Sequence, residues 1–390
     1  MSWSTAALGE VCDVVSGATP RTSEKRFWDG GVLWTTPKDI SDIDGPYLTQ
    51  TTRTITEEGL KSCAATILPP NSVLLSSRAP IGLVAINSVP MATNQGYKSL
   101  VPNAKRIDSK FLFYWLRSKT HYLQSLGNGA TFKEISKAVV ERIEVPLPTL
   151  DEQRRLAAIL DKADALRRKR KRALDLLDGL TQSIFLEMFG DPLANPMRWP
   201  EKPLSDYESF LTSGSRGWAK YYSLSGRAFI RIQNLRGGAL STEDLIYVDP
   251  PDDAEARRTK VQAGDVLISI TADLGRTAVV PKSLDGRAHI NQHIALVRPK
   301  GIDPTYLSMF LAGRGGQKQF EALNRHGVKA GLNFDNIRSL SILVPPVQLQ
   351  RDYVVKKRVA DDVRVKLRSE IAVLDNFFGS LQHRAFAGQL

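Results

Sequence analysis

Asp151 to Met188 reads DEQRRLAAILDKADALRRKRKRALDLLDGLTQSIFLEM, a stretch without proline and with Gly179 as its one internal breaker. Its composition favours a long helix. Apolar residues fall at Ile159, Ala163, Leu166, Ala173, Leu177, Leu180 and Ile184, spacings of four and three that continue through Arg170. That rhythm is a heptad seam. A second such stretch follows Pro346, with Ala360, Val363, Leu367, Ile371, Leu374, Phe378 and Leu381 in register. Two amphipathic helices in one chain need partners for their stripes, and each is the nearest partner of the other. If globular domains sit at opposite ends, each helix leaves its own domain and the pair runs antiparallel.

Working outward from these helices, the whole chain repeats. Asn71 to Ser77 with Gly82 answers Gly264 to Ile270 with Gly275, and Asn94-Gln95 before Val101-Pro102 answers Asn291-Gln292 before Arg298-Pro299. Ile143-Glu144-Val145-Pro146 answers Ile342-Leu343-Val344-Pro345, and Trp34 to Ile40 matches Phe229 to Leu235 more loosely. Because the blocks keep their order, two half-chains share one fold. The first part of each half alternates short β-rich runs with Gly, Pro, Asn and Asp, and contains one helix, Ser109 to Ser118 or Asp303 to Leu311. The expected class is α+β, a tandem duplication of two α/β globular domains joined by two long helices as an antiparallel coiled coil. The boundaries are 1–148 and 191–346 for the globular domains, 149–190 and 347–390 for the helices.

Composition narrows the function. The 390 residues are 42% hydrophobic and 24% charged, which is ordinary globular protein. A surplus of 53 Lys and Arg over 41 Asp and Glu leaves a net charge of +12 and points to a polyanion, nucleic acid first. Cys12 and Cys63 are the two cysteines, too few for a disulfide framework or a thiolate metal site, as in a reducing cytoplasm. Met1 to Arg21 lacks a basic, apolar leader pattern, and no run is long and apolar enough to span a membrane.

The ordered blocks resemble the specificity subunits of type I restriction-modification systems. The likeness is carried by Ser16-Gly17-Ala18-Thr19-Pro20 with Trp28, by Trp34 to Ile40 and its partner Ile230 to Leu235, and by the paired strands at Val73 and Val266. The junction Val145-Pro146-Leu147-Pro148-Thr149-Leu150-Asp151-Glu152-Gln153 and the C-terminal Leu381 to Gly388 complete it. The second junction, Val344 to Gln350, lacks the Glu-Gln of the first, so a difference in helix capping is expected there. The resemblance implies two target-recognition domains that read a bipartite, asymmetric site on double-stranded DNA. It also implies two methyltransferase (modification) subunits and restriction-translocase subunits as partners, with S-adenosylmethionine, ATP and Mg bound by those partners and none by this chain. The residues themselves are compatible: two similar modules on a rigid spacer can read two half-sites across unread base pairs. A stand-alone bipartite DNA-binding scaffold is the alternative.

No enzyme is expected in this chain, and no catalytic residue or metal ligand is assigned. Tyr247-Val248-Asp249-Pro250-Pro251-Asp252 approaches the Asp-Pro-Pro-aromatic loop of amino-methyltransferases, but Asp252 stands where a stacking ring is needed, so it reads as a turn. Gly127 to Phe132 lacks the third glycine of a dinucleotide loop, and neither a phosphate-binding GxxxxGK[ST] nor a GxSxG elbow occurs. His289 and His293 have no carboxylate or cysteine cluster nearby. The run Arg167 to Arg172 points around the whole helix. It reads either as a solvated stretch paired with Asp161, Asp164, Asp175 and Asp178, or as a contact to phosphates or an acidic partner. Lys and Arg grip guanine, Gln and Asn grip adenine, and both types grip phosphate. The DNA-contact candidates are Arg21, Lys25, Lys38, Arg78, Gln95, Lys98 and Lys133 in the first half. In the second they are Arg216, Lys220, Arg231, Gln233, Arg276, Gln292 and Lys329. Trp28, Trp34 and Trp218 lie near these loops and read as core.

Overall fold

The computed structural model describes residues 3–41, 43–129, 133–214, 216–324 and 331–390. Helices α1 (Ser109–Ser118), α2 (Leu150–Phe189), α3 (Pro304–Ala312) and α4 (Val347–Phe386) frame the chain. It divides into two compact units, Met1–Leu174 with Lys366–Leu390, and Asp175–Val365. The division falls within the long helices, so each unit holds the start of one and the end of the other.

The first unit contains β1 (Thr5–Ala7), β2 (Cys12–Ser16), β3 (Trp28–Thr35), β4 (Tyr47–Leu48) and β5 (Arg53–Ile55). After them come β6 (Val73–Leu75), β7 (Val84–Asn87), β8 (Ala92–Thr93), β9 (Lys98–Pro102) and β10 (Glu144–Pro146). They form sheets in the orders β2-β9-β6-β7-β4, β5-β3-β8 and β1-β10. Strand β6 is buried throughout because the larger sheet is covered on both faces: Val73 and Leu75 join the cluster under α1, while Leu74 joins Ile40, Leu48, Leu68 and Tyr97. Side chains alternate across a strand, so a continuous apolar run needs two cores.

The second unit repeats this pattern with β11 (Glu201–Pro203), β12 (Glu208–Ser213), β13 (Tyr222–Ser223), β14 (Arg227–Ile230), β15 (Leu235–Arg236) and β16 (Gly238–Leu240). The set ends with β17 (Ile246–Val248), β18 (Val266–Ser269), β19 (Thr277–Val279), β20 (Ala288–Ile290), β21 (Ile294–Pro299) and β22 (Ser341–Leu343). The orders are β12-β21-β18-β19-β16-β15, β13-β17-β14-β20 and β11-β22. These are the sheets of the first unit with β15 and β13 added at their edges. Val266 and Ile268 face the cluster that contains α3, and Leu267 faces another.

The junction into each long helix is held by one buried glutamine. Gln153 accepts from Asp108 N at 2.8 Å and donates to Arg106 O at 3.0 Å and Pro148 O at 2.9 Å. Gln350 accepts from Asp303 N at 2.8 Å and donates to Pro345 O at 2.8 Å. Asp108 and Asp303 are themselves the N-caps of α1 and α3. The capping differs as expected, since Thr149 Oγ1 accepts from Glu152 N at 3.4 Å where the second junction has Pro346, but Gln350 repeats the aspartate and proline contacts of Gln153.

In the first unit the helix segments run in opposite directions. Arg155 donates to Leu390 O at 2.8 Å, Arg167 to Asp375 at 2.7 Å, and Arg170 pairs with Glu370 at 3.2 Å. Phe378 and Ala385 of α4 enter the same core as Leu156, Ala157 and Leu160 of α2. In the second unit Arg364 reaches Leu177 O at 3.2 Å and Thr181 Oγ1 at 3.3 Å, and the Phe185 and Phe189 rings lie 5.4 and 5.5 Å from Tyr353. These contacts too run in opposite directions.

The seam needs correction. Ile159, Ala163, Ala173, Leu177, Ile184, Ile371, Leu374 and Leu381 are half-buried, and Ala360, Leu367 and Phe378 are buried. Leu166, Leu180 and Val363 are exposed, at 43%, 43% and 42%. Burial falls instead on Gln153, Leu156, Leu160 and Asp164, then Thr181, Phe185 and Phe189. Each helix packs against its own globular domain as well as the other helix, so its buried face is rotated from the one that helix pairing alone selects.

Replacing Gln153 by Leu strands several polar groups, each worth about 1–3 kcal/mol when left unpaired in the interior. The expected outcome is fast hydrogen exchange at the Asp108 amide and a loss of roughly 3 kcal/mol in urea unfolding. Gln348→Leu, on the exposed helix face, leaves both within about 0.5 kcal/mol.

Candidate nucleic-acid interface

Three segments converge in each unit, and backbone geometry brings them together. In the first, Gly17 approaches so closely that a Cβ there would lie 2.0 Å from Asn94 O, and Ala18 N donates to Thr93 O at 2.9 Å. Trp34 Nε1 donates to Ala18 O at 3.0 Å and Trp28 Nε1 to Arg21 O at 3.2 Å, which pins residues 18–21 to β3. The two indoles meet edge to face at 5.0 Å. The turn after β3 is fixed by Asp39, whose carboxylate accepts from Thr36 N at 2.6 Å and Thr52 N at 2.8 Å. Burial works to raise the Asp39 pKa, but the hydrogen bonds from Thr52 and Thr36 prevail and hold it below the usual carboxylate range. Lys38 stands exposed on this turn, and Thr19 hydrogen-bonds Gln95 beside it.

The second unit builds the same junction from different side chains. A Cβ on Gly214 would lie 2.0 Å from Asn291 O, Asn291 N donates to Ile230 O at 3.1 Å, and Asn234 takes the place of Asp39 by accepting from Arg231 N at 2.9 Å. Gln233 is exposed on this turn and Gln292 is half-buried. Sequence reading missed that Ser213-Gly214 repeats Ser16-Gly17. The signal was present in the dipeptide itself, at the same separation that relates Asn94 to Asn291.

Residues 2–175 match the family described as type I restriction modification DNA specificity domain. The chain is similar to the type I restriction enzyme MjaIX specificity subunit of Methanocaldococcus jannaschii, 31% identical over 264 residues that cover 63% of this chain and 61% of that protein. It is also similar to the EcoKI specificity subunit of Escherichia coli K12, 24% identical over 344 residues, 80% of this chain and 73% of that one. The match to the MjaX specificity subunit spans 26% of that protein's length. Among solved structures, a chain from a study of complex assembly in a type I restriction-modification system superposes with a TM-score of 0.62 at 19% identity, covering 100% of this chain and 98% of that one. The S subunit from M. genitalium gives 0.60 at 14% identity, covering 99% and 96%. At these identities the structures show a shared fold of mixed helix and sheet.

The remaining candidates separate by environment. Arg21, Lys25, Lys133, Arg216 and Lys220 are exposed. Lys98 is corrected: it is 8% exposed and pairs with Glu134 at 3.0 Å, so its charge is neutralised inside the fold. Half-buried Arg78 shares Glu134 at 4.0 Å. Arg231 donates to Asp244 O at 3.2 Å, and Arg276 pairs with Asp273. Lys329, like Ala130 to Phe132 of the glycine loop, lies outside the described residues. Trp28, Trp34 and Trp218 are all buried. The Tyr247 to Asp252 motif leads from β17 into a short helix, with Asp253 as its N-cap and Asp252 paired to Arg257 at 2.9 Å.

The four arginines of the basic run on α2 pair with carboxylates within the first unit, while Lys169 and Lys171 stand exposed. Asp164, 2% exposed, meets Arg117, Arg167 and Arg168 at 3.4, 3.0 and 3.3 Å. Arg172 pairs with Asp44 at 3.1 Å, and Arg168 approaches the same carboxylate. The solvated reading named Asp164 correctly; Asp44, Glu370 and Asp375 are further partners, and the Asp178 side chain lies outside the described residues.

His289 and His293 engage different neighbours. His289 is 1% exposed, with Nδ1 3.2 Å from Thr259 Oγ1 and its ring 5.1 Å from Trp218, whereas His293 faces Thr271 and Gln292. Among the described residues no group of three His, Cys, Asp or Glu is placed to hold a metal ion. Burial, helped by Arg227 and Lys260, pushes the His289 pKa down to about 4. The unfolded chain therefore takes up a proton near pH 6.5 that the folded chain refuses. Stability from neutral His289 is complete above about pH 6.5 and declines as pH falls toward 4. Urea midpoints of the wild type should drop between about pH 7 and pH 5, and His289→Gln should shrink that drop.

Proposed function

We propose that the chain is the non-catalytic DNA-specificity subunit of a type I restriction-modification enzyme, reading a bipartite asymmetric site and scaffolding methyltransferase and restriction subunits in a reducing cytoplasm. The observation that carries this is the duplicated junction with unequal side chains. Arg21 and Lys25 of the first copy correspond to Arg216 and Lys220 of the second, like for like, which suits phosphate contacts common to both half-sites. Lys38 corresponds to Gln233, and lysine and glutamine favour guanine and adenine respectively, which suits half-sites of different sequence.

S-adenosylmethionine, ATP and Mg belong, in this reading, to the partner subunits. Val355, Val359 and Val363 stand exposed at four-residue spacing on α4, an apolar ridge suited to a partner helix. The long helices pair antiparallel along their length and set the distance between half-sites; the opposite course of their segments within each unit supports this.

Expressed with its methyltransferase subunits, the chain should co-purify with them and direct adenine methylation to a two-part sequence, detected by sequencing methylated adenines. Gln233→Lys should change one half of that sequence only. The isolated chain should bind no S-adenosylmethionine in calorimetry; stoichiometric binding would overturn the non-catalytic assignment.

Inserting one heptad at matching levels of α2 and α4 adds about 10 Å, close to three base pairs of rise. It also turns the second half-site by roughly a third of a turn around the duplex. Against duplexes with graded spacers, the variant should prefer a longer spacer or bind none. Unchanged preference at full affinity would show that the helices do not set the distance.

A further inference from the structure

The four-stranded sheet of the second unit has two ends. One carries the turns of Gln233 and Gln292. At the other, β14 and β20 begin side by side: Ala228 pairs with Ala288, and Ala228 N donates to Arg287 O at 3.0 Å. Arg227 and Arg287 are therefore neighbours, and both are exposed. Lys260 joins them through its bridge to His289, and its Cε lies 3.4 Å from where a Cβ on Gly286 would stand. Among the described residues none of these three cations forms an ion pair. Their effect is felt inside the fold, since Arg227 and Lys260 both disfavour protonation of His289. The acidic residue nearest to Arg287 along the chain is exposed Asp285, which accepts from Ala263 N at 2.9 Å, while Glu255 and Asp265, the nearest to Lys260, pair with Arg258 and Arg298.

Leu224 lies in the turn that joins β13 to β14 at this same end. It is 102% exposed, and Tyr222 beside it is 52% exposed. An apolar side chain held wholly in water next to three unneutralised cations suits a partner that offers phosphates and, between them, sugar and base surface. The first unit does not carry these side chains at the matching positions. At the separations that relate Trp34 to Phe229 and Asn94 to Asn291, the counterparts of Leu224, Arg227 and Arg287 are Asp29, Val32 and Pro90.

We propose that this sheet end is an additional duplex-DNA contact peculiar to the second unit, with Arg227, Arg287 and Lys260 on phosphates and Leu224 packed against the sugar and base surface between them. The proposal rests on the DNA-reading function above. Four residues of β14 separate Arg227 from Arg231, about 13 Å at about 3.3 Å per residue. That equals roughly four base pairs at about 3.4 Å each, so one duplex can meet both ends of the sheet.

The test uses the full chain in complex with its methyltransferase subunits, and a fluorescent duplex carrying the methylated sequence, titrated over a salt series. Replacing Arg227, Arg287 and Lys260 together by Gln should flatten the log-log salt slope by about 0.9 for each lost phosphate contact. Leu224→Ser should weaken binding about tenfold at every salt concentration and leave the slope unchanged, the low end of what burying a leucine contributes. Lys202→Gln, an exposed site on β11, controls for net charge. The Leu224 variant lies in a fully exposed turn, so it keeps the test decisive if the triple variant fails to fold. Wild-type binding with both variants indistinguishable from the control overturns this inference alone. A wild-type complex that binds no duplex overturns the DNA-reading function as well.

Discussion

A single buried amide side chain in each unit ties a globular domain to a long helix. Gln153 and Gln350 each join the N-terminal cap of a domain helix, through Asp108 N and Asp303 N, to a proline that precedes the long helix. Both ends of such an amide are committed, so a slipped helix leaves buried donors and acceptors without partners. The direction in which each long helix departs is thereby fixed relative to its own sheet. A globular domain on a freely swivelling helix could not hold its turns in one orientation relative to that helix.

Around that lock, charge and packing divide the work unequally. The first unit adds Asp161, which accepts from Tyr114 and Lys110 at 2.9 and 2.7 Å, and the Asp164 group of three arginines. The second gathers rings, with Phe185 and Phe189 each meeting Tyr306 and Tyr353, the Phe185–Tyr306 pair stacked and the other three edge-on. Buried ion pairs need hydrogen bonds that offset desolvation, whereas aromatic rings contribute large buried area and prefer edge-to-face or offset contacts. The two attachments are thus alike in topology and unlike in chemistry.

The same contrast marks the candidate interface. The backbone junction is common to both units, because Gly17 and Gly214 alone leave room for the carbonyl of the facing turn. Asp39 and Asn234 hold equivalent turns with the same acceptor role. What differs is displayed on those turns. A duplicated scaffold that preserves the buried anchors and varies the exposed positions is free to change what one junction displays without disturbing the fold of the other.

The sequence by itself determined the duplication, the two helical segments, the α1 and α3 helices and the family resemblance. All of these rest on local period, order of blocks, or residue types whose backbone preferences are strong. Tertiary structure decided which face of each long helix is buried. Heptad spacing defines a stripe, but Leu166 and Leu180 lost their place on it because the globular domain competes with the partner helix for the same side chains. Structure likewise decided that Lys98 faces Glu134 and that Arg168 and Arg172 face Asp44. These pairs are far apart in the chain, and the energy of a charge depends on the partner that folding brings beside it, which no local pattern encodes.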